Sequence, residues 1–264
     1  MKTNYHTHTT RCQHAVGTDR EYVQAAVDAG FDVLGFSDHS PFPYTSYISR
    51  IRMLPEEFPQ YRSSLESLRE EFAGQIVLHI GLEAEYFPRY RDHLLRLREQ
   101  GADYFILGQH SPDSDEDHPY TGADCQTDDG VRRYADAVAL GISTGLYCCV
   151  AHPDLLMRHR SEDEFNAACM EASDTICQAA SEAGIPIEYN LLGLALRMSN
   201  QERGYPSPAF WQYARRWNND VILGVDAHDP AQLLKKDVWD AGAQHIASLN
   251  YHILDRLPMD GTAV

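Results

Sequence analysis

Asn4-Tyr-His6-Thr-His8-Thr-Thr-Arg-Cys-Gln-His14 places three histidines within nine positions. Lys2–His6 reads as a short strand. Alternate residues of an extended chain point to one face, so His6 and His8 share a side. Neutral imidazole is the commonest side-chain metal ligand, and two on one face make half a zinc site. His14 follows a short loop and can serve a neighbouring ion. A first strand that ends in ligands makes the ends of the later strands the places to inspect.

Working outward, strand and helix patterns alternate. Strands are expected at Lys2–His6, Asp32–Ser37, Ile76–Leu82, Tyr104–Gly108, Tyr147–Val150, Ile185–Glu188 and Val221–Val225. Between and after them, helices are expected over Asp19–Ala29, Pro55–Phe72, Tyr90–Gln100, Val131–Thr144, Glu162–Glu182, Pro208–Trp217 and Ala231–Ala241. This alternation implies parallel strands joined by helical crossovers. A distorted seven-stranded (β/α) barrel of the α/β class, forming a single domain over residues 1–264, fits best. An open doubly wound sheet is the alternative, but no Gly-x-Gly-x-x-Gly follows the first strand to support dinucleotide binding. Ser111–Asp129 is long, acidic and poor in apolar residues, and reads as a loop over the strand ends.

Composition narrows the function classes. Hydrophobic residues make up 43% of the 264, enough for a substantial core. No apolar run is long enough to span a membrane. The first residues run directly into the histidine motif, so no leader peptide is expected. The six cysteines, at 12, 125, 148, 149, 169 and 177, form no Cys-x-x-Cys and fit a reduced, cytoplasmic chain. A net charge of −17 argues against binding a nucleic-acid backbone. An anionic substrate then needs local positive charge, which bound metal ions supply.

The residues at the strand ends supply the chemistry. In order they are His6 and His8, His39, Glu83, His110, His152, and Asp226 with His228; His14 joins them from the first loop. Parallel barrels gather the carboxyl ends of their strands at one mouth. Seven histidines and two carboxylates exceed what one tetrahedral ion needs. They suit two or three divalent ions sharing a carboxylate, the usual device for phosphoester hydrolysis. Histidine-rich N/O sites accept zinc, iron, manganese or cobalt.

The pieces His6-Thr-His8, Cys12-Gln-His14, Phe36-Ser-Asp-His39, Gly81-Leu-Glu83, Gly108-Gln-His110, Ala151-His-Pro153, Glu188-Tyr-Asn190 and Asp226-Ala-His228 occur in that order. Together they resemble the PHP (polymerase and histidinol-phosphatase) superfamily, and most of all its histidinol-phosphate phosphatase branch. The resemblance implies a distorted seven-stranded barrel. It also implies ligand sets: His6, His8, Glu83 and Asp226 for a first ion; Glu83, His110 and His152 for a second, with Glu83 bridging; His14, His39 and His228 for a third. The implied activity is hydrolysis of a small phosphomonoester, first of all L-histidinol phosphate and alternatively a different small phosphorylated metabolite, by a water shared between two ions, with Glu83 and Asp226 central to catalysis. Asp38 is a further catalytic candidate, its other role being to hold a ligand histidine. Arginines in the loops after the fifth and sixth strands are implied phosphate contacts: Arg197 first, then Arg160, then Arg158.

Other readings are weaker. A nuclease of the polymerase-associated kind lacks a basic stripe. A metal-dependent amidohydrolase also begins with His-x-His, but it usually has a metal-bridging lysine mid-barrel, and no lysine occurs between Lys2 and Lys235.

Overall fold

The computed structural model describes residues 1–46, 48–111, 125–201 and 204–259. Most of the acidic segment, including Asp113, Asp115, Glu116 and Asp117, lies outside the described residues. Seven parallel strands run in sequence order around one sheet: β1 (Thr3–Asn4), β2 (Val33–His39), β3 (Val77–Ala84), β4 (Tyr104–Leu107), β5 (Cys149–Val150), β6 (Ile187–Asn190) and β7 (Val221–Gly224). The sheet curls until its first and last segments meet at a bridge between Thr7 and Ala227. There His8 N donates to Ala227 O at 2.8 Å and Ala227 N donates to His6 O at 3.2 Å. The result is a nearly closed barrel, as expected, and the open-sheet alternative falls.

β1 is shorter than the expected Lys2–His6. At its end the Asn4 side chain takes over from the main-chain ladder. Its Oδ1 accepts from Val225 N at 2.8 Å, and its Nδ2 donates to Thr7 Oγ1 at 2.7 Å. One buried amide therefore seals the seam and aims the His6–His8 segment across the mouth.

The helices follow their caps. α1 (Asp19–Asp28) starts at a Thr18–Glu21 capping box, and α2 (Phe58–Glu71) follows a 3-10 turn at Pro55–Glu57. α3 covers Arg91–Glu99 and α4 covers Asp128–Ser143, capped by Thr127. The helix expected from Glu162 begins instead at Ala167, because Asn166 caps it; this is α5 (Ala167–Ala183). α6 (Leu191–Met198) was expected to be loop. It is capped by Asn190, whose side chain accepts from Gly193 N at 2.9 Å. α7 (Pro208–Ala214), α8 (Pro230–Leu233) and α9 (Lys236–Ser248) complete the ring.

Tyr104 floors the barrel beneath the mouth. Its hydroxyl donates towards Tyr5 O and Phe36 O, at 2.7 and 3.0 Å. A Cβ at Gly35 or Gly81 would collide with its ring. Pairing of β2 with β3 continues past the expected ends, to His39 opposite Glu83. That register sets two ligand-type residues side by side.

Candidate metal centre and active site

Glu83 stands at the middle of the mouth. Its Oε1 lies 2.7 Å from His152 Nε2 and 3.2 Å from His110 Nε2. Its Oε2 lies 3.5 Å from both His6 Nε2 and His8 Nε2, and 3.1 Å from His39 Nδ1. Asp226 Oδ1 approaches His8 Nε2 at 3.2 Å and His6 Nε2 at 3.4 Å. His14 Nε2 and His228 Nε2 face each other at 3.0 Å. The structure thus gathers the eight ligand-type residues of the strand ends, with His14 from the first loop, into one cluster.

Apart from His152 Nε2, which lies at hydrogen-bonding distance from Glu83 Oε1, the spacing suits residues that share metal ions. Ligands held about 2.0–2.1 Å from a tetrahedral ion lie roughly 3.3 Å from one another. His39 Nδ1 comes within 3.1 Å of a carboxylate oxygen without the geometry of a hydrogen bond. His152 keeps Nδ1 buried with no hydrogen bond. The nitrogen–oxygen donor set suits zinc, iron, manganese or cobalt.

Charge inside the cluster is tightly coupled. Burial would push the Glu83 carboxyl up, but His110, His6 and His39 hold it well below its ordinary range. Burial opposes charging His6, yet Asp226, Glu188 and Glu83 hold that imidazole well above its usual value. These buried carboxylates call for cations close by.

A second layer of polar groups orients these ligand-type side chains. Glu188 Oε2 meets His6 Nδ1 at 2.7 Å, and Asn190 Nδ2 donates to Glu188 at 2.8 Å and to Asp226 at 3.0 Å. Glu85 Oε1 meets His110 Nδ1 at 3.0 Å, and the buried Arg52 guanidinium donates two bonds to Glu85, at 2.9 and 3.2 Å. Sequence reasoning missed Glu85 and Arg52 and gave Glu188 no role. A carboxylate two residues past Glu83, on the same face of the strand, was the available signal for Glu85. His152 and Asp226 are held at φ 30 and 52, which costs non-glycine residues about 1–3 kcal/mol and is maintained by the surrounding contacts.

Small residues leave room for these acids. A Cβ at Gly108 would overlap Glu83 Oε1, and one at Gly224 would overlap Glu188 Oε2. Gly108→Ala is expected to displace the Glu83 carboxylate and to cost about 1–3 kcal/mol of stability. Thermal unfolding and elemental analysis of the variant should both show a loss. Unchanged values in both would mean that the carboxylate has room to move.

Above the cluster lies a cavity of about 240 Å³. Ile51, Leu155, Leu192, Leu196 and Tyr205 form its side walls, and among the described lining residues Arg158 is the one guanidinium. Of the three arginines expected as phosphate contacts, Arg158 is the one at the cavity. Arg160 is buried among protein acceptors, with Nε on Cys125 O at 2.6 Å and Nη2 on Asp128 at 3.2 Å. Arg197 lies on α6 and donates to Glu162 at 2.8 Å and to Pro206 O at 2.9 Å. Neither lines the cavity. Asp38, expected among the catalytic residues, lies behind His8: Oδ2 accepts from Thr9, and Oδ1 is 3.7 Å from His8 Nδ1.

The PHP domain family matches residues 4–191. The chain belongs to the PHP domain family. A "Probable histidinol-phosphatase" of Deinococcus radiodurans is 30% identical over 252 residues, covering 91% of this chain and 94% of that protein. The histidinol-phosphatase of Bacillus subtilis matches over 88 residues at 28% identity, 31% of this chain and 33% of that protein. The fold is shared with the histidinol phosphate phosphatase of Lactococcus lactis, solved with zinc, L-histidinol and phosphate. That structure gives a TM-score of 0.73 at 17% identity, covering 100% of this chain and 99% of the other. The PHP barrel accounts for the strand count and for the mouth at which the strand ends meet. Among the described residues, no helix is long and apolar enough to cross a membrane.

Proposed function

We propose that this PHP domain is a metal-dependent phosphomonoesterase that hydrolyses L-histidinol phosphate to L-histidinol and phosphate. The observation that carries the reading is the cluster of ligand atoms centred on Glu83, open to a cavity that holds Arg158. The full-length similarity to the Deinococcus protein supports the same substrate. His6, His8, Glu83 and Asp226 would hold one ion, Glu83, His110 and His152 a second, and His14, His39 and His228 a third. Bound there, divalent ions supply Lewis acidity and bring the pKa of water towards neutrality.

The chain's own residues do the rest. Arg158 offers a planar fork to the phosphoryl oxygens. Ile51, Leu155, Leu192 and Leu196 surround the leaving group and keep bulk water out, which strengthens every charge interaction within. Glu188 and Glu85 hold His6 and His110 in one tautomer, so that each presents Nε2 to the mouth. Glu83 and Asp226 fix negative charge opposite the phosphate and keep cations at the site. The domain works in the cytoplasm, where its six cysteines stay reduced.

Phosphate release from a panel of small phosphomonoesters tests the substrate. Histidinol phosphate should give the highest kcat/KM; a better substrate elsewhere in the panel would replace it. Elemental analysis of reloaded protein should find two to three divalent ions per chain. One ion or fewer would end the multinuclear reading.

A further inference from the structure

Each of the two groups that share Glu83 has one imidazole backed by a carboxylate, while its other imidazole, His8 or His152, makes no hydrogen bond through Nδ1. His6 Nδ1 faces the Glu188 carboxylate at 2.7 Å, and His110 Nδ1 faces the Glu85 carboxylate at 3.0 Å. Behind His14 and His228 there are main-chain carbonyls instead. His14 Nδ1 donates to Cys12 O at 2.6 Å, and His228 Nδ1 donates to Asp226 O at 3.0 Å. A carboxylate partner raises the basicity of an imidazole more than a neutral carbonyl does, and losing a partner behind a ligand histidine typically weakens metal binding about 10–100-fold.

Charge and solvent point the same way. The His6–His8 group includes Glu83 and Asp226, and the His110–His152 group shares Glu83. The group of His14, His39 and His228 has no carboxylate besides Glu83, whose Oε2 lies 3.1 Å from His39 Nδ1 and which the other two groups already share. Asp226 Oδ1 comes within 3.5 Å of His228 Nδ1, but it sits closer to His8 Nε2, at 3.2 Å. His14 is exposed and His228 half-buried, whereas His6, His8 and Glu83 are buried. A dication at the outer group meets less compensating charge and more competing water.

We infer that His14, His39 and His228 form an exchangeable outer position, and that the two positions sharing Glu83 hold their ions at least tenfold more tightly. The inference rests on the multinuclear reading above. Outer occupancy then follows the free concentration of divalent ions while the inner ions stay in place.

Equilibrium titration of the metal-free protein with cobalt(II), followed by visible absorption, tests this. Elemental analysis after desalting counts the retained ions. Two tight equivalents and a third at least about tenfold weaker are expected. His14→Ala should remove only the weak equivalent, and Glu188→Gln should weaken a tight one and leave the weak one unchanged. No strong sulfur-to-cobalt band should appear in the near ultraviolet, although Cys12 has a ligand atom within 4.8 Å of those of His14 and His228.

Three equal equivalents, or no third equivalent up to millimolar cobalt, would overturn the inference. So would loss of a tight equivalent in His14→Ala, a Glu188→Gln protein that binds as the parent does, or a strong sulfur band. Fewer than two tight equivalents would instead sink the multinuclear reading itself. Circular dichroism of both variants separates these outcomes from unfolding.

Discussion

Glu83→Gln is expected to lower phosphate release by at least about a thousand-fold and to remove at least one ion per chain. The carboxylate oxygens lie on two sides of the cluster, Oε1 towards His110 and His152, Oε2 towards His6, His8 and His39. An amide of the same shape withdraws one negative charge from both sides and turns an NH2 donor towards ring nitrogens. Loss of residues that merely orient ligands already costs about 10–100-fold, and a shared ligand should cost more. The fold should persist, because Tyr104 and the strand ladders lie below the change. Turnover and elemental content decide the matter together, with circular dichroism as the control. Near-normal turnover with a full metal complement would show that Glu83 bridges nothing.

Arg158→Ala should lower kcat/KM for the phosphomonoester by roughly ten- to a hundred-fold, since a charge-assisted bond to phosphate in a water-poor cavity contributes about 1.5–3 kcal/mol. Arg158→Lys should recover part of this, because an ammonium keeps the charge and loses the fork. Metal content should not change. Arg197→Ala is the contrasting case. Its guanidinium pairs with Glu162 and is partly exposed, and such pairs contribute about 0–1 kcal/mol, so kcat/KM should move less than about threefold. The deciding measurement is steady-state kinetics on the three variants with metal content checked in each. A large loss in Arg197→Ala beside a silent Arg158→Ala would restore the order expected from sequence.

The amino-acid sequence alone carried the number, order and direction of the strands. Alternating apolar runs and capped helices are local signals, and parallel connection follows from them. It also carried the residue types at the strand ends, because a strand's period of two and the common direction of seven strands leave those side chains at one mouth. His39 and Glu83 show the point: the register that pairs them extends patterns visible in each strand separately.

Side chains in loops obey no such period. Arg158 and Arg160 stand two residues apart, yet one lines the cavity while the other is held by Cys125 O and Asp128, more than thirty residues earlier. Arg197 was placed in a loop because the apolar run Leu191–Met198 directly follows β6, and no turn signal marks where Asn190 begins a helix. The partners of the ligands were hidden for the same reason. Glu188 reaches His6 across 182 positions of sequence, and Arg52 reaches Glu85 across 33. Which carboxylate stands behind which imidazole depends on how the barrel closes, and only the tertiary structure decided it.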